Sequence, residues 1–281
     1  MTWDEIVGEA RKLHQQYMVD GSMAWYRGHR RETFRLESTL HRYIARLLEG
    51  MNSPPTGEQR IKHLREEYKS VYRTFKREAW PMLDPASRSE WGVIFTMQHY
   101  GLPTRLLDWT ENFACAVFFA QQNRVRGEDA AIWVLDPQAL NKLAISREGQ
   151  LALDEDMSEG VVNSRDWHPK WAATGDPLPS VAVSPIYTNA RMTAQRSEFV
   201  VAGDAFVPLD EEFPSLVSEG RLVKLTLPDS TFDNAEEFLV TAGVDAFTFY
   251  PDLFGLALRH EADTCRRLLE FRRAYPDAFE S

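Results

Sequence analysis

The run Gln98-His99-Tyr100-Gly101-Leu102-Pro103-Thr104-Arg105-Leu106-Leu107-Asp108-Trp109-Thr110 gathers an amide, an imidazole, a phenol, a guanidinium, a carboxylate and hydroxyls around a Gly-Leu-Pro bend. Such groups can hold an anion, move a proton and stabilise positive charge developing on a substrate. Gly101 permits unusual backbone angles, and Pro103 fixes φ and removes a donor, so the chain turns or extends there. The apolar residues that follow, Phe113, Ala114, Ala116, Val117, Phe118, Phe119 and Ala120, read as a buried helix holding the polar turn on a rigid support. A structural turn in which Arg105 pairs with Asp108 is the competing reading, and composition alone leaves the two even.

Two other places carry chemistry. Tyr26-Arg27-Gly28 ends a short apolar run and reads as a strand with Arg27 near its end. Gln195-Arg196-Ser197-Glu198-Phe199 reads as a later strand. Its two-residue period puts Gln195, Ser197 and Phe199 on one face and Arg196, Glu198 and Val200 on the other, so Glu198 joins the first face only if a bulge re-aims it. Asp108 or Asp252 could supply a carboxylate instead, although Asp252 sits where a helix N-cap is expected. His99 reads as a site residue, because its neighbours are polar on both sides of the turn. His29 with Arg30 and Arg31 reads as a basic loop. The sequence has no Gly-x-Ser-x-Gly, no Gly-rich phosphate loop, no His-Glu-x-x-His and no Cys/His zinc spacing, so no metal is expected.

The elements that must position these groups follow from periodicity. Residues 2–18, 38–49, 58–79 and 87–99 read as helices, the last opened by Ser87 or Ser89. Ala130–Leu135, Val181–Val183, Phe199–Ala202, Leu222–Leu227 and Ala246–Phe249 read as strands. Helices are expected over Ala235–Ala242 and Glu261–Ala274. The stretches Asp154–Gly160 and Trp167–Pro179 read as a long excursion between strands. The fold class is α+β: a helical N-terminal half packed on a mixed, twisted sheet in one domain spanning residues 1–281, with the Tyr26-Arg27 strand central and buried.

The chain of 281 residues carries a net charge of −10 that is unevenly spread. Residues 1–80 hold 15 Lys/Arg against 11 Asp/Glu, and the remainder holds 17 against 31. A basic N-terminal third could face phosphate-rich ligands. Arginines interleaved with glutamates on amphipathic helices more often form ordinary solvated faces, and that reading is favoured. No apolar run has membrane-spanning length, and the N-terminus lacks a signal-peptide pattern. Two cysteines, Cys115 and Cys265, read as buried thiols and not a disulfide; a cytoplasmic location without membrane contact is expected.

The central run resembles the signature of the FRG domain family, and Tyr26-Arg27-Gly28 resembles the Phe-Arg-Gly triplet that gives the family its name, with Tyr in place of Phe. Arg191, Gln195, Phe199 and the Phe249–Ala257 segment add to the resemblance, which runs over about residues 23–260. The order of these elements is also similar to that of ADP-ribosyltransferases, which hold NAD in a cleft of a split sheet. That similarity implies a catalytic set of Arg27, Gln195, Glu198 and Asp108. It implies an NAD site formed by Tyr26, Arg27, Gly28, Gln98, His99, Thr104, Arg105 and Trp109. NAD would be a substrate, the target a macromolecule (RNA, DNA or protein), and the role that of a toxin or phage-defence effector, with a neutralising antitoxin as a further partner. A non-catalytic module that recognises a nucleotide or protein ligand is the alternative. A carboxylate facing the cleft from Gln195–Glu198 would favour the enzyme. Arg27, His99, Arg105, Asp108 and Gln195 are expected to converge on one cleft.

Overall fold

Capping chemistry sets where the N-terminal helices begin. In a computed structural model of the protein, which describes residues 1–53, 55–147, 149–153, 164–170 and 177–274, Thr2 opens α1 (Trp3–Val19) with a capping box shared with Glu5. Ile6, Ala10, Leu13 and Tyr17 recur along one face of this helix and are all buried. After β1 (Trp25–His29), Ser38 caps α2 (Thr39–Glu49), Thr56 and Gln59 form the box that opens α3 (Gly57–Ala79), and Ser89, not Ser87, caps α4 (Glu90–His99).

The chain continues through β2 (Leu106–Thr110), α5 (Phe113–Gln121), β3 (Ala130–Leu135), α6 (Pro137–Ile145), β4 (Leu151–Ala152) and β5 (Val181–Ser184). It then forms α7 (Ala190–Gln195), β6 (Ser197–Val201), α8 (Leu209–Glu212), α9 (Pro214–Ser218), β7 (Leu222–Leu227), α10 (Phe232–Thr241), α11 (Ala246–Phe249) and α12 (Leu253–Ala274). Among the described residues the strands form one sheet in the order β4-β5-β6-β2-β1-β3-β7. The β4–β5 pair is parallel and the others are antiparallel. This is the expected α+β arrangement, a helical first half on a mixed sheet. β1 is interior, and its Trp25 and Tyr26 are buried.

Strand alternation divides the core into layers. One face carries two clusters. Tyr72, Trp91, Phe95, Leu106, Phe199 and Val201 pack beneath α3 and α4. Ile6, Tyr17, Tyr26, Val117, Ile132 and Leu225 pack beneath α1, α5 and α10. The opposite face buries Trp25, Leu107, Trp109, Trp133 and Val200 against Leu140, Leu209 and Leu216 of α6, α8 and α9.

The seam between the first two clusters lies where β1 meets β2. There the strands share the single register pair Tyr26↔Thr110, whereas β1 runs beside β3 for its whole length. Beyond that pair the sheet parts.

Three sequence expectations are corrected. Ala246–Phe249 is a helix, not a strand: Asp245 forms a capping box with Thr248, and this local hydrogen bonding overrides the β-propensity of Phe-Thr-Phe. The C-terminal helix starts at Leu253 rather than Glu261, because Asp252 caps it by accepting from the Gly255 amide at 2.9 Å. The second half of the central polar run is the interior strand β2, not part of a turn. Of the expected excursion, Asp154–Gly160 and residues 171–176 lie outside the described residues.

Gly28 fixes how closely α5 lies on β1. A Cβ there would meet the Ala116 carbonyl oxygen at 2.0 Å and the Ala120 nitrogen at 2.7 Å, both backbone atoms. Gly28→Ala is expected to destabilise the protein by roughly 3 kcal/mol, the upper end for overpacking, because backbone cannot swing aside. Urea unfolding would show a lower midpoint at unchanged slope.

Candidate functional site

The parting of β1 from β2 opens a cavity of about 700 Å³. Arg27 stands where the strands separate. Its Nη1 donates across the gap to the Asp108 carbonyl oxygen and lies 3.6 Å from the Asp108 carboxylate. Its Nε donates to Nε2 of His29 at 3.1 Å. To accept that bond His29 must carry its proton on Nδ1. Burial, and then the charge of Arg27, push the His29 pKa down to about 3, so the ring is neutral and acts as a brace for the guanidinium.

Asp108 is held from a second side. Nε2 of Gln98, near the end of α4, donates to Asp108 Oδ2 at 2.9 Å. The Thr104 hydroxyl donates to Gln98 Oε1 at 2.5 Å and itself accepts from the Leu106 amide at 3.1 Å. Thr104 is fully buried and does not line the cavity; it orients Gln98, which orients Asp108. The Asp108 side chain keeps 56% of its surface exposed, so one flank of the carboxylate stays open to a ligand.

Six arginines line the cavity against the carboxylates of Asp108 and Glu37. Arg27, Arg42 and Arg191 are half-buried, and Arg30, Arg35 and Arg46 are exposed at its edge. Arg42 is anchored by donating to the Glu37 carbonyl and the Thr39 hydroxyl. Arg191 lies over the Tyr250 ring, 4.4 Å from its centre. Burial lowers the pKa of Arg27 and Arg42, with Asp108 opposing the shift in both. Five of the six come from the basic N-terminal third, so that excess charge is gathered on a cleft and is not only a solvated face. Arg42 and Arg46, four residues apart on α2, were the signal available in the sequence. His99 also lines the cavity, and burial followed by the Arg191 charge pushes its pKa below the usual value.

Arg27, His99, Asp108 and Gln195 converge as expected; Arg105 does not. The Arg105 guanidinium is buried and donates to the Asp204 carboxylate and the Gly203 carbonyl. Asp204 also binds Arg65 at 2.6 Å and the Leu178 amide at 2.9 Å. The Arg105–Asp108 pair is therefore absent: Arg105 belongs to a buried structural network, and Arg27 is the partner of Asp108.

Glu198 does not reach the cavity either. β6 pairs with β2 in continuous register, with Trp109 opposite Glu198, so no bulge turns Glu198 around. It shares the opposite face with Trp109 and Val200, where burial and then Glu111 raise its pKa to about 8. Gln195 is the last residue of α7, not part of the strand, and donates to the Phe249 carbonyl at 3.0 Å from the cavity wall. Tyr26 and Gly28 form part of the lining. Tyr26 is buried with its hydroxyl 3.1 Å from His14 Nδ1, and the Trp109 indole packs into the opposite-face core, so neither ring is a stacking surface for a ligand.

The model of the FRG domain matches residues 22–140. This chain carries an FRG domain. The matched stretch supplies Arg27, Arg42, Arg46, Gln98, His99 and Asp108, while Arg191 and Gln195 complete the cleft from beyond it. No curated protein and no solved structure matches the chain. Among the described residues no helix is long and apolar enough to cross a membrane, and no group of three or more His, Cys, Asp or Glu is placed to hold a metal ion.

Two outcomes follow from the buried charges. Asp204→Ala strands Arg105 and Arg65 without their carboxylate and is expected to cost about 3–5 kcal/mol in urea unfolding. Glu198 is protonated in the folded state up to about pH 8, whereas a free carboxylate titrates near 4.5. Its contribution to stability is thus fully present below about pH 4.5 and is lost as pH rises to about 8. Glu198→Gln should gain stability over wild type across that window and hold a constant advantage above it, read from urea midpoints at a series of pH values.

Proposed function

We propose that the cleft binds NAD and transfers its ADP-ribose to a macromolecule, with Asp108 in the carboxylate role that the sequence pattern offered to Glu198. The observation that carries this reading is the Asp108 carboxylate, oriented by Gln98 and Arg27 and still open on one flank, inside a cleft with half-buried arginines. Arg27, Arg42 and Arg191 answer the pyrophosphate, which suits their donor-rich planar heads. The half-buried Phe119 ring offers a face for nicotinamide or adenine.

Breaking the nicotinamide–ribose bond sends the bonding electrons to nicotinamide, which leaves neutral, and leaves positive charge on the ribose. Asp108 stabilises that charge and accepts the proton released by the attacking group of the target. The same reading makes the protein a cytoplasmic toxin or phage-defence effector held in check by a neutralising antitoxin. The non-catalytic reading, a module that binds a nucleotide or protein ligand, draws on one feature: no carboxylate of Gln195–Glu198 faces the cleft.

Incubation with NAD labelled in its adenylate half, together with RNA, DNA and protein in separate arms, separates the two. Arg27→Ala should lose NAD binding by about 2–4 kcal/mol. Asp108→Asn should bind NAD and lose transfer by roughly 10²–10³-fold. Glu198→Gln should keep both. A folded wild type that binds NAD but labels nothing in any arm leaves the binding module; one that does not bind NAD at all sinks the dinucleotide reading.

A further inference from the structure

We propose that the outer lip of the cleft seats a single-stranded nucleic acid, which is then the macromolecule presented to the inner site. The proposal rests on the dinucleotide reading of that inner site. The argument is one of unmatched charge. In the inner cleft Arg27, Arg42 and Arg191 outnumber the carboxylates of Asp108 and Glu37, and the two charges of a pyrophosphate answer that excess. On the lip Arg35 is paired with Glu37 at 3.4 Å and Glu211 at 3.0 Å. Arg30 and Arg46 have no ion-pair partner among the described residues, and both are exposed. A dinucleotide held inside leaves them unanswered, whereas a strand with a phosphate at every step does not.

The lip also carries an aromatic surface. Phe34 is 39% exposed, and the Arg30 guanidinium lies 5.7 Å from its ring centre. A ring beside a planar cation is a platform on which an unpaired base can stack, which an acidic peptide does not exploit. The rest of the protein sharpens the choice: the chain as a whole is at −10, so a polyanion is repelled elsewhere and drawn to this edge.

The test measures binding of short labelled single strands, RNA and DNA of the same mixed sequence, to the full chain without NAD by fluorescence anisotropy. A calorimetric titration with NAD is run on the same preparations. Wild type should bind at least one strand, with affinity that falls as salt rises, and the two arms name which. The double variant Arg30→Ala/Arg46→Ala should weaken strand binding roughly tenfold or more at low salt and flatten the log–log salt slope by about 1.4, while keeping the NAD titration. Phe34→Ala should weaken it roughly fivefold or more, and Arg73→Ala, exposed on α3 outside the cavity lining, should change nothing. Where the double variant melts below wild type, Arg46→Glu alone decides in the same way. A wild type that takes the strand but not NAD upholds the lip and removes the dinucleotide reading; the converse overturns the lip alone. A double variant with wild-type affinity and slope also overturns it, as does a wild type that holds a poly-glutamate peptide and neither strand, which reassigns the lip to an acidic protein.

Discussion

Arg27 spans the place where the sheet comes apart, and most of the site is arranged around that fact. β1 and β2 remain joined at Tyr26↔Thr110, and beyond it a guanidinium replaces the ladder of backbone hydrogen bonds. The Asp108 carbonyl thus finds its donor in a side chain. His29 braces the guanidinium from its own strand, and Gln98 and Thr104 hold the facing carboxylate from α4 and the turn that follows it. The tight seating of α5 on Gly28 places Cys115 and Phe119 against the same opening.

The two core clusters on either side of the seam explain why the opening persists. Phe95, Leu106 and Phe199 belong to one, Tyr26, Val117 and Ile132 to the other, and each is closed by its own helices. Neither cluster needs the other to bury its apolar surface, so there is no hydrophobic drive to fill the gap between them. The boundary is lined by the polar and charged Arg27, Gln98, Asp108 and Gln195 alongside the rings of Phe95, Phe119 and Phe199. Polar groups gathered in a concavity flanked by two rigid cores are the usual setting of a ligand site.

The sequence made the strands near Tyr26 and Ala130 and the helices over 2–18, 38–49 and 58–79 legible, because their apolar patterns were consistent along each element. Ala246–Phe249 misled, since aromatic and β-branched residues resemble a strand wherever an N-cap aspartate is overlooked. In the site, Arg27 and Asp108 were legible by type, but their partnership was not. Asp108 lies three residues after Arg105, and only the distant Asp204 reveals that this arginine is engaged elsewhere. Glu198 drew attention as the carboxylate of a promising strand, while strand alternation already argued that it pointed away; the unbroken register with β2 settles its direction. The arginine lip escaped notice because Arg30, Arg35 and Arg46 look like solvated surface until the fold brings them to one edge.

The choice of arginine over histidine as the source of positive charge has a consequence for what the cleft can sense. Of the two imidazoles in its wall, His29 is held neutral by a pKa near 3 and His99 is shifted below its ordinary value, while guanidinium groups keep their protons at any pH a cell meets. The field seen by an approaching anion is therefore indifferent to acidity across the neutral range. It varies instead with ionic strength, since the exposed guanidinium groups at the edge are open to screening over about 8 Å at physiological salt. The cleft is an electrostatic device tuned by salt and buffered against pH.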